Sequence, residues 1–354
     1  MNIKSLNRKL NKKFAGRVTA RLSDGCIVLT GELDDWNDVV DAGMTAATPH
    51  SSTHVVNDIV FTGAAEEKMH MPAINDKALD GEKPDVLVIG GGISGCSVAR
   101  ELSRYKLSVL LIDKEADLAL GASGRNDGEV HPGVDLSKGS LKHKYIRRAN
   151  HMYEDLCREL DVPFKRTGQY ACFTHKSWLP FVSLYAKWRR DHDGIEDTCI
   201  VMGDEIRKKE PKISADVAFA LSNPSSGSVS PYNLVIAYAE NAVQNGARVS
   251  LNTAVTGMDV SGGEIKAVYT NRGTIYPREV INCAGVYSDV VAQMAQDRFF
   301  SIHPRRGTNS ILDKKTGASF HGIASIVMSQ SPVQTHTKGG GILHTMHDNL
   351  LIGP

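Results

Sequence analysis

Ile3, Leu6, Leu10 and Phe14 recur at helical spacing among Lys4, Arg8, Lys9, Lys12 and Lys13, which predicts an amphipathic basic helix at the start of the chain. Two strand-like runs follow, "RVTARL" and "CIVLTGEL". They flank Ser23, Asp24 and Gly25, a hairpin signal because glycine accepts the positive φ of a tight turn. "DDWNDVVDAGMTAAT" reads as a helix capped by Asp34 or Asp35, and "THVVNDIVFTG" as a closing strand. The predicted order over residues 1–63 is therefore helix, strand, strand, helix, strand. From Ala64 to Lys83 the chain shows no period and two turn signals, and residues 64–83 are expected to be a linker.

Beyond it the pattern changes. Asp85 to Ile89 is a nearly unbroken apolar run, as expected of a parallel strand buried on both faces. A short helix and a second apolar strand, "LSVLLID", complete a β-α-β unit. "SLKHKYIRRANHMYEDLCREL" then places Leu141, Tyr145, Ala149, Met152, Leu156 and Leu160 on one helical face. Strand-like runs follow in "GQYACFTH", "ARVSLNTAVTGMDV", "EIKAVYTN" and "GTIYPREVINCAG". The class is α/β: a Rossmann-type nucleotide fold that the chain leaves and re-enters, preceded by a small α+β module.

The turn after the first apolar strand reads Gly90-Gly91-Gly92-Ile93-Ser94-Gly95. In Gly-x-Gly-x-x-Gly the first glycine permits the tight turn, the second admits a pyrophosphate to the backbone, and the third lets helix and strand pack closely. The helix N-terminus favours the phosphate charge, typically by ~0.3–1 kcal/mol. Asp113 ends the second strand eighteen residues beyond Gly95, where a carboxylate can accept from ribose hydroxyls. The fingerprint alone leaves NAD and FAD open.

Composition narrows the partners. Forty-one Lys and Arg against forty Asp and Glu give no global field for nucleic acid. Six cysteines without a Cys-x-x-Cys pair fit reduced thiols and a cytoplasmic location better than a disulfide frame. No segment reaches the roughly 20 apolar residues of a membrane span. His336, Lys338, His344 and His347 lack a metal-ligand spacing, and no metal is assigned.

"VIGGGISG", "LLIDKE" and "ASGRNDGEVHPG" together resemble the D-amino-acid-oxidase superfamily of FAD-dependent oxidoreductases. "VINCAGVYSD", "PRRG", "NLLIGP" and the long stretches between are similar to its glycerol-3-phosphate dehydrogenase and L-2-hydroxyglutarate oxidase branch, from about Pro84 to Pro354. The first sixty residues resemble, more loosely, the small BON domain, which implies attachment to a membrane surface or a protein partner. A solubilising cap is the plainer alternative.

The resemblance implies FAD as cofactor, with an interleaved antiparallel substrate domain at about residues 166–229 and 300–340. Gly90, Gly91, Gly92, Ile93, Ser94 and Gly95 would hold the pyrophosphate, with Asp113 and Lys114 at the adenosine ribose. Asp113 stands where the family usually has glutamate. Ser123, Arg125, Asn126, Asp127 and Gly128 would line the diphosphate and flavin edge. Val255 would meet the adenine through its backbone; Ala284, Gly285 and Gly353 would lie against the cofactor.

His131 matches the histidine beside the flavin and would act as base, a role typically worth ~10²- to 10⁴-fold in rate. Arg306, and Arg305 beside it, would grip a carboxylate or phosphate, although Thr308-Asn309-Ser310 replace the aromatic residues that commonly follow. The implied reaction is hydride transfer from a small anionic hydroxy compound to FAD, then onward to a quinone, a protein carrier or oxygen. Within the superfamily an amine or amino-acid oxidase is the alternative; outside catalysis, a binding protein with an incomplete flavin site. The chain ends at "NLLIGP", where the family continues into a helix facing the flavin pyrimidine, so truncation or completion by a second polypeptide is expected. No cysteine pattern suits an iron–sulfur cluster.

Overall fold

In the computed structural model, which describes residues 2–47, 54–64, 69–195, 197–327 and 341–353, Asp24 and Gly25 take φ of 48° and 76° and join two strands in register through Ser23 and Cys26. A two-residue turn with both φ positive matches the twist of the strands it joins. The strands are β1 (Val18–Ser23) and β2 (Cys26–Leu33), antiparallel to each other. Helix α1 (Ile3–Lys13) precedes them, its first turn capped by Asn2, whose side chain accepts from the Lys4 amide. Helix α2 (Trp36–Ala46) starts at Asp35, which accepts from the Asn37 amide, and leads to β3 (Val55–Phe61), parallel to β2. Leu6, Leu10, Leu29, Leu33, Val39 and Ala42 form the core, each almost wholly buried. Lysines and arginine of α1 are left on the water side, as the 3.6-residue period requires.

The chain divides into two compact units, Met1–Leu120 with Ala242–Arg305, and Gly121–Asn241 with Arg306–Pro354. In the first, β4 (Val86–Ile89), α3 (Ile93–Leu102) and β5 (Val109–Ile112) form the β-α-β unit. They belong to a four-stranded parallel sheet in the order Arg248–Ser250, β5, β4, Glu279–Asn282. All eight residues of β4 and β5 are buried, which explains their unbroken apolar sequence. A three-stranded antiparallel sheet, Val255–Ser261, Glu264–Thr270 and Gly273–Ile275, shares their core through Val255, Val268 and Ile275.

Between the module and β4, residues 76–82 are tied down by specific contacts. The Leu79 amide donates to the Arg272 carbonyl and the Gly81 amide to that of Thr274, both at 2.8 Å. Asp76 pairs with Arg272 at 3.0 Å and Glu82 with Arg248 at 2.6 Å. The module is fastened to the same unit near residue 300. Asn57 donates its amide N–H to Ser301 Oγ at 2.8 Å, Arg298 pairs with Asp58 at 2.7 Å, and Trp36 stands edge-on to His303 at 5.5 Å.

The second unit holds a seven-stranded sheet in the order Ser310–Ile311, Leu350–Gly353, Gly341–His344, Ile323–Ile326, Gln169–Phe173, Phe219–Asn223, Cys199–Met202. Only the pairing of Ile323–Ile326 with Gln169–Phe173 is parallel. The helix Leu141–Glu159 buries only part of its apolar stripe, with Ala149, Leu156 and Leu160 half-buried. Leu141, Tyr145 and Met152 are exposed, while His143, Asn150 and Cys157 are buried. Turn carbonyls inside the unit need donors, and Asn150 supplies them, giving Nδ2 hydrogens to the carbonyls of His131 and Ser225 at 3.0 Å each.

Candidate functional site

The glycine turn is built from close approaches that exclude side chains. Gly90 has φ of +112°, and a Cβ there would collide with the carbonyl oxygen of Cys283; a Cβ on Gly95 would collide with that of Gly90. Both collisions are with backbone, which cannot move aside, so α3 can start this near β4 only with glycine at these two positions. Gly92 is the N-cap and, as glycine, supplies no capping side chain of its own. The N-terminus of this ten-residue helix carries the positive end of its dipole, which favours an anion.

Asp113 follows β5 and reaches back to the turn. Its Oδ2 accepts from the Gly91 amide and its Oδ1 from the Glu115 amide, the latter at 2.8 Å. Each oxygen retains a lone pair for a second donor. Its own carbonyl accepts from the Thr253 amide at 2.7 Å, two residues before Val255. Val255 turns its side chain into the core and keeps its backbone at a strand end. Lys114 lies 5.3 Å over the ring of Tyr287 and pairs with Glu115. Burial pushes the Cys96 thiol in α3 up to about 12, with Asp113 adding to the effect, so it is no nucleophile.

On the returning strand, the Cys283 amide donates to the Ile89 carbonyl at 2.8 Å, which sets Ala284 beside Gly90. Gly285 has φ of +58° and no protein atom within 4 Å of the place its Cβ would occupy. A side chain there would meet no obstacle, unlike one at Gly90. The first unit thus brings together Gly90 to Gly95, Asp113, Lys114, Val255, Ala284 and Gly285 from four separate segments.

In the second unit, Ser123 to Gly128 form a self-bonded loop. Asn126 donates Nδ2 to the carbonyls of Ala122 and Ser123 and accepts at Oδ1 from the Gly128 amide. Gly128, at φ of +73°, packs against the Val229 carbonyl. Arg125 and Asp127 are exposed. The loop leads through the short strand Glu129–Val130 to His131, whose ring is 41% exposed. Its Nδ1 lies 3.3 Å from Oε1 of Glu129, a carboxylate only 8% exposed.

The sequence reading passed over Glu129, although Glu-x-His on a strand places both side chains on one face. Burial raises the Glu129 carboxyl above its usual range; His131 opposes that rise, and Asp127 and Asp135 add to it. Past His131, the guanidinium of Arg189 donates to the carbonyls of Gly133, Val134 and Leu136 and pairs with the buried Asp193. Arg305 and Arg306 are exposed on irregular chain. Gly353 ends its strand facing Asn309. His347 lies 3.1 Å from Ser230 Oγ, one residue beyond Val229, whose amide donates to the Gly128 carbonyl; His336 and Lys338 lie outside the described residues. Among the described residues no group of three His, Cys, Asp or Glu could hold a metal, and no helix is long and apolar enough to cross a membrane.

The family described as FAD dependent oxidoreductase (DAO) matches residues 85–354. The chain is 36% identical over 271 residues to a glycerol 3-phosphate dehydrogenase of Caloramator mitchellensis, covering 76% of this chain and 55% of that protein. It is 33% identical over 227 residues to an L-2-hydroxyglutarate dehydrogenase of Indibacter alkaliphilus, covering 63% of this chain and 56% of that one. The chain thus spans little more than half the length of these two relatives. Among solved structures, it is similar to the dithionite-reduced L-α-glycerophosphate oxidase of Mycoplasma pneumoniae with FAD bound, at a TM-score of 0.68 and 25% identity, over 77% of this chain and 71% of that one.

Proposed function

The chain belongs to the DAO family of FAD-dependent oxidoreductases, and from that membership we propose that it oxidises a small anionic hydroxy compound, glycerol 3-phosphate or a 2-hydroxy acid. The observation that carries the reading is His131, a half-exposed imidazole backed by a buried carboxylate at the end of the polar glycine-bearing loop. FAD, when bound, accepts the hydride from the carbinol carbon.

The chain's own residues do the rest. Gly90 to Gly95 and the start of α3 hold the pyrophosphate, Asp113 the ribose, and the open space at Gly285 leaves room beside them. His131 takes the hydroxyl proton as the carbon gives up its hydride, leaving a carbonyl product. Arg306, with Arg305, grips the substrate's carboxylate or phosphate; a planar guanidinium suits either anion through paired N–H donors. The electrons pass on to a quinone, a protein carrier or oxygen. A BON-like module carrying the basic helix α1 supports attachment to a membrane surface or a protein partner, and six free thiols support a reducing, cytoplasmic setting.

The test is a spectrum of the FAD-loaded protein without oxygen, before and after adding glycerol 3-phosphate or L-2-hydroxyglutarate. Bleaching of the flavin bands with formation of ketone supports the reading. Bleaching only by amino acids, with ammonia released, or failure to retain FAD, overturns it.

A further inference from the structure

We propose that Glu129 is the positioning residue of the site: it holds the ring of His131 with the proton on Nδ1, so that Nε2 is the atom that receives the substrate's hydroxyl proton. The inference rests on reading His131 as the base and adds the device that makes one ring nitrogen competent.

The geometry behind it is a directed chain of hydrogen bonds. Thr198 Oγ1 donates to Asn223 Oδ1 at 2.8 Å, and Asn223 Nδ2 donates to Gln169 Oε1 at 3.1 Å. Gln169 Nε2 then donates to Glu129 Oε1 at 2.9 Å, and Ser226 Oγ donates to the same oxygen at 3.3 Å. Thr198 and Asn223 are wholly buried. Asn223 and Gln169 are register partners in adjacent antiparallel strands, so the sheet itself sets their spacing. Because the Gln169 oxygen is occupied by Asn223, its amide hydrogens must face Glu129. The amide donors of this chain therefore point toward Glu129, whose Oε1 forms an ion-pair contact with Nδ1 of His131 at 3.3 Å.

A carboxylate this buried is costly unless its lone pairs are used, and an apolar side chain would fill the same position more cheaply. Gln169 and Ser226 offset part of that cost at Oε1 and restrain the orientation of the carboxylate. The ring's backbone is fixed as well, through the bond from Asn150 Nδ2 to the His131 carbonyl at 3.0 Å. The imidazole is far more open than the carboxylate behind it, 41% exposed against 8%. When the substrate's O–H bond breaks, its proton goes to Nε2 and its electron pair closes the new C=O bond. Hydride leaves the same carbon for FAD, and the imidazolium charge that forms faces Glu129.

The ring tautomer can be read directly by ¹⁵N NMR of histidine-labelled protein at mildly alkaline pH, with His131→Gln assigning the resonances. The expected result is a ring protonated at Nδ1, with Glu129→Gln shifting the population toward the Nε2-protonated form. The same variant should lower kcat by about 10²-fold with KM little changed. It should also shift the pH–rate profile, because the carboxylate, with Asp127 and Asp135 near it, no longer sets the charge around the ring. Glu129→Leu checks that the loss follows charge rather than shape. A wild-type ring protonated at Nε2, or a Glu129→Gln protein with unchanged kcat and profile, overturns the proposal. Failure of the underlying reading looks different: His131→Ala would reduce flavin at the wild-type rate while the tautomer assignment stood.

Discussion

The Asp113 carboxylate accepts a hydrogen bond from the Gly91 amide at 2.5 Å, so the acid that ends β5 closes the glycine turn that leaves β4. With its second oxygen on the Glu115 amide, this one side chain braces both loops at the carboxyl edge of the parallel sheet. Asp113→Ala should therefore lower stability by about 1–3 kcal/mol as well as weaken FAD, because a part-buried amide loses its acceptor. Thermal melts of the FAD-free protein separate the two effects. A melt unchanged from wild type would mean that Asp113 contributes only to the cofactor.

Gly95 and Gly285 should respond oppositely to alanine. At Gly95 the added methyl meets the Gly90 carbonyl, a rigid obstacle, and Gly95→Ala should fail to fold or lose several kcal/mol. At Gly285 the methyl enters open space, and the cost is the left-handed backbone, roughly 1–2 kcal/mol. Gly285→Ala should fold and yet retain less FAD, measured as bound flavin per protein after gel filtration. Full loading of that variant would show that the open space is not where the cofactor lies.

His131→Ala should leave FAD bound, since no residue assigned to the pyrophosphate changes, and should slow flavin reduction by roughly 10²- to 10⁴-fold. Stopped-flow reduction without oxygen gives the rate directly. An undiminished rate removes His131 from proton transfer.

What the sequence made legible was whatever rests on local backbone demands. Asp24-Gly25, the Gly90 to Gly95 turn and the apolar β4 and β5 each state their conformation within a few residues, and the Rossmann-type class follows from their order. Glu129 was not legible, because its partners Gln169 and Ser226 lie 40 and 97 positions away and the strand joining it to His131 is only two residues long. The helix Leu141–Glu159 shows the converse. Its apolar period is real, but Leu141, Tyr145 and Met152 are exposed while Asn150, off the stripe, is buried with its amide on two distant carbonyls. The stretch before β4 carries no period of its own, and its Asp76, Leu79 and Glu82 are held by residues near 250 and 272.

The contact between the N-terminal module and residues 298–303 should loosen in acid. Asn57 Nδ2 has two hydrogens; one goes to the Val39 carbonyl at 2.8 Å and the other faces His303 Nε2 at 3.0 Å. That contact is a hydrogen bond only while Nε2 keeps its lone pair, because a protonated ring would turn one N–H donor against another. Burial lowers the His303 pKa from 6.5, with Arg298 acting in the same direction and Asp289 against it. The unfolded chain therefore binds this proton more readily than the folded one. Stability from this group is complete above about 6.5 and declines as pH falls through the folded value. Limited proteolysis across this range should release the module faster at low pH, and His303→Gln should remove the dependence. A cleavage rate independent of pH in the wild type, measured against a control substrate, would remove His303 as the group that senses acid at this contact.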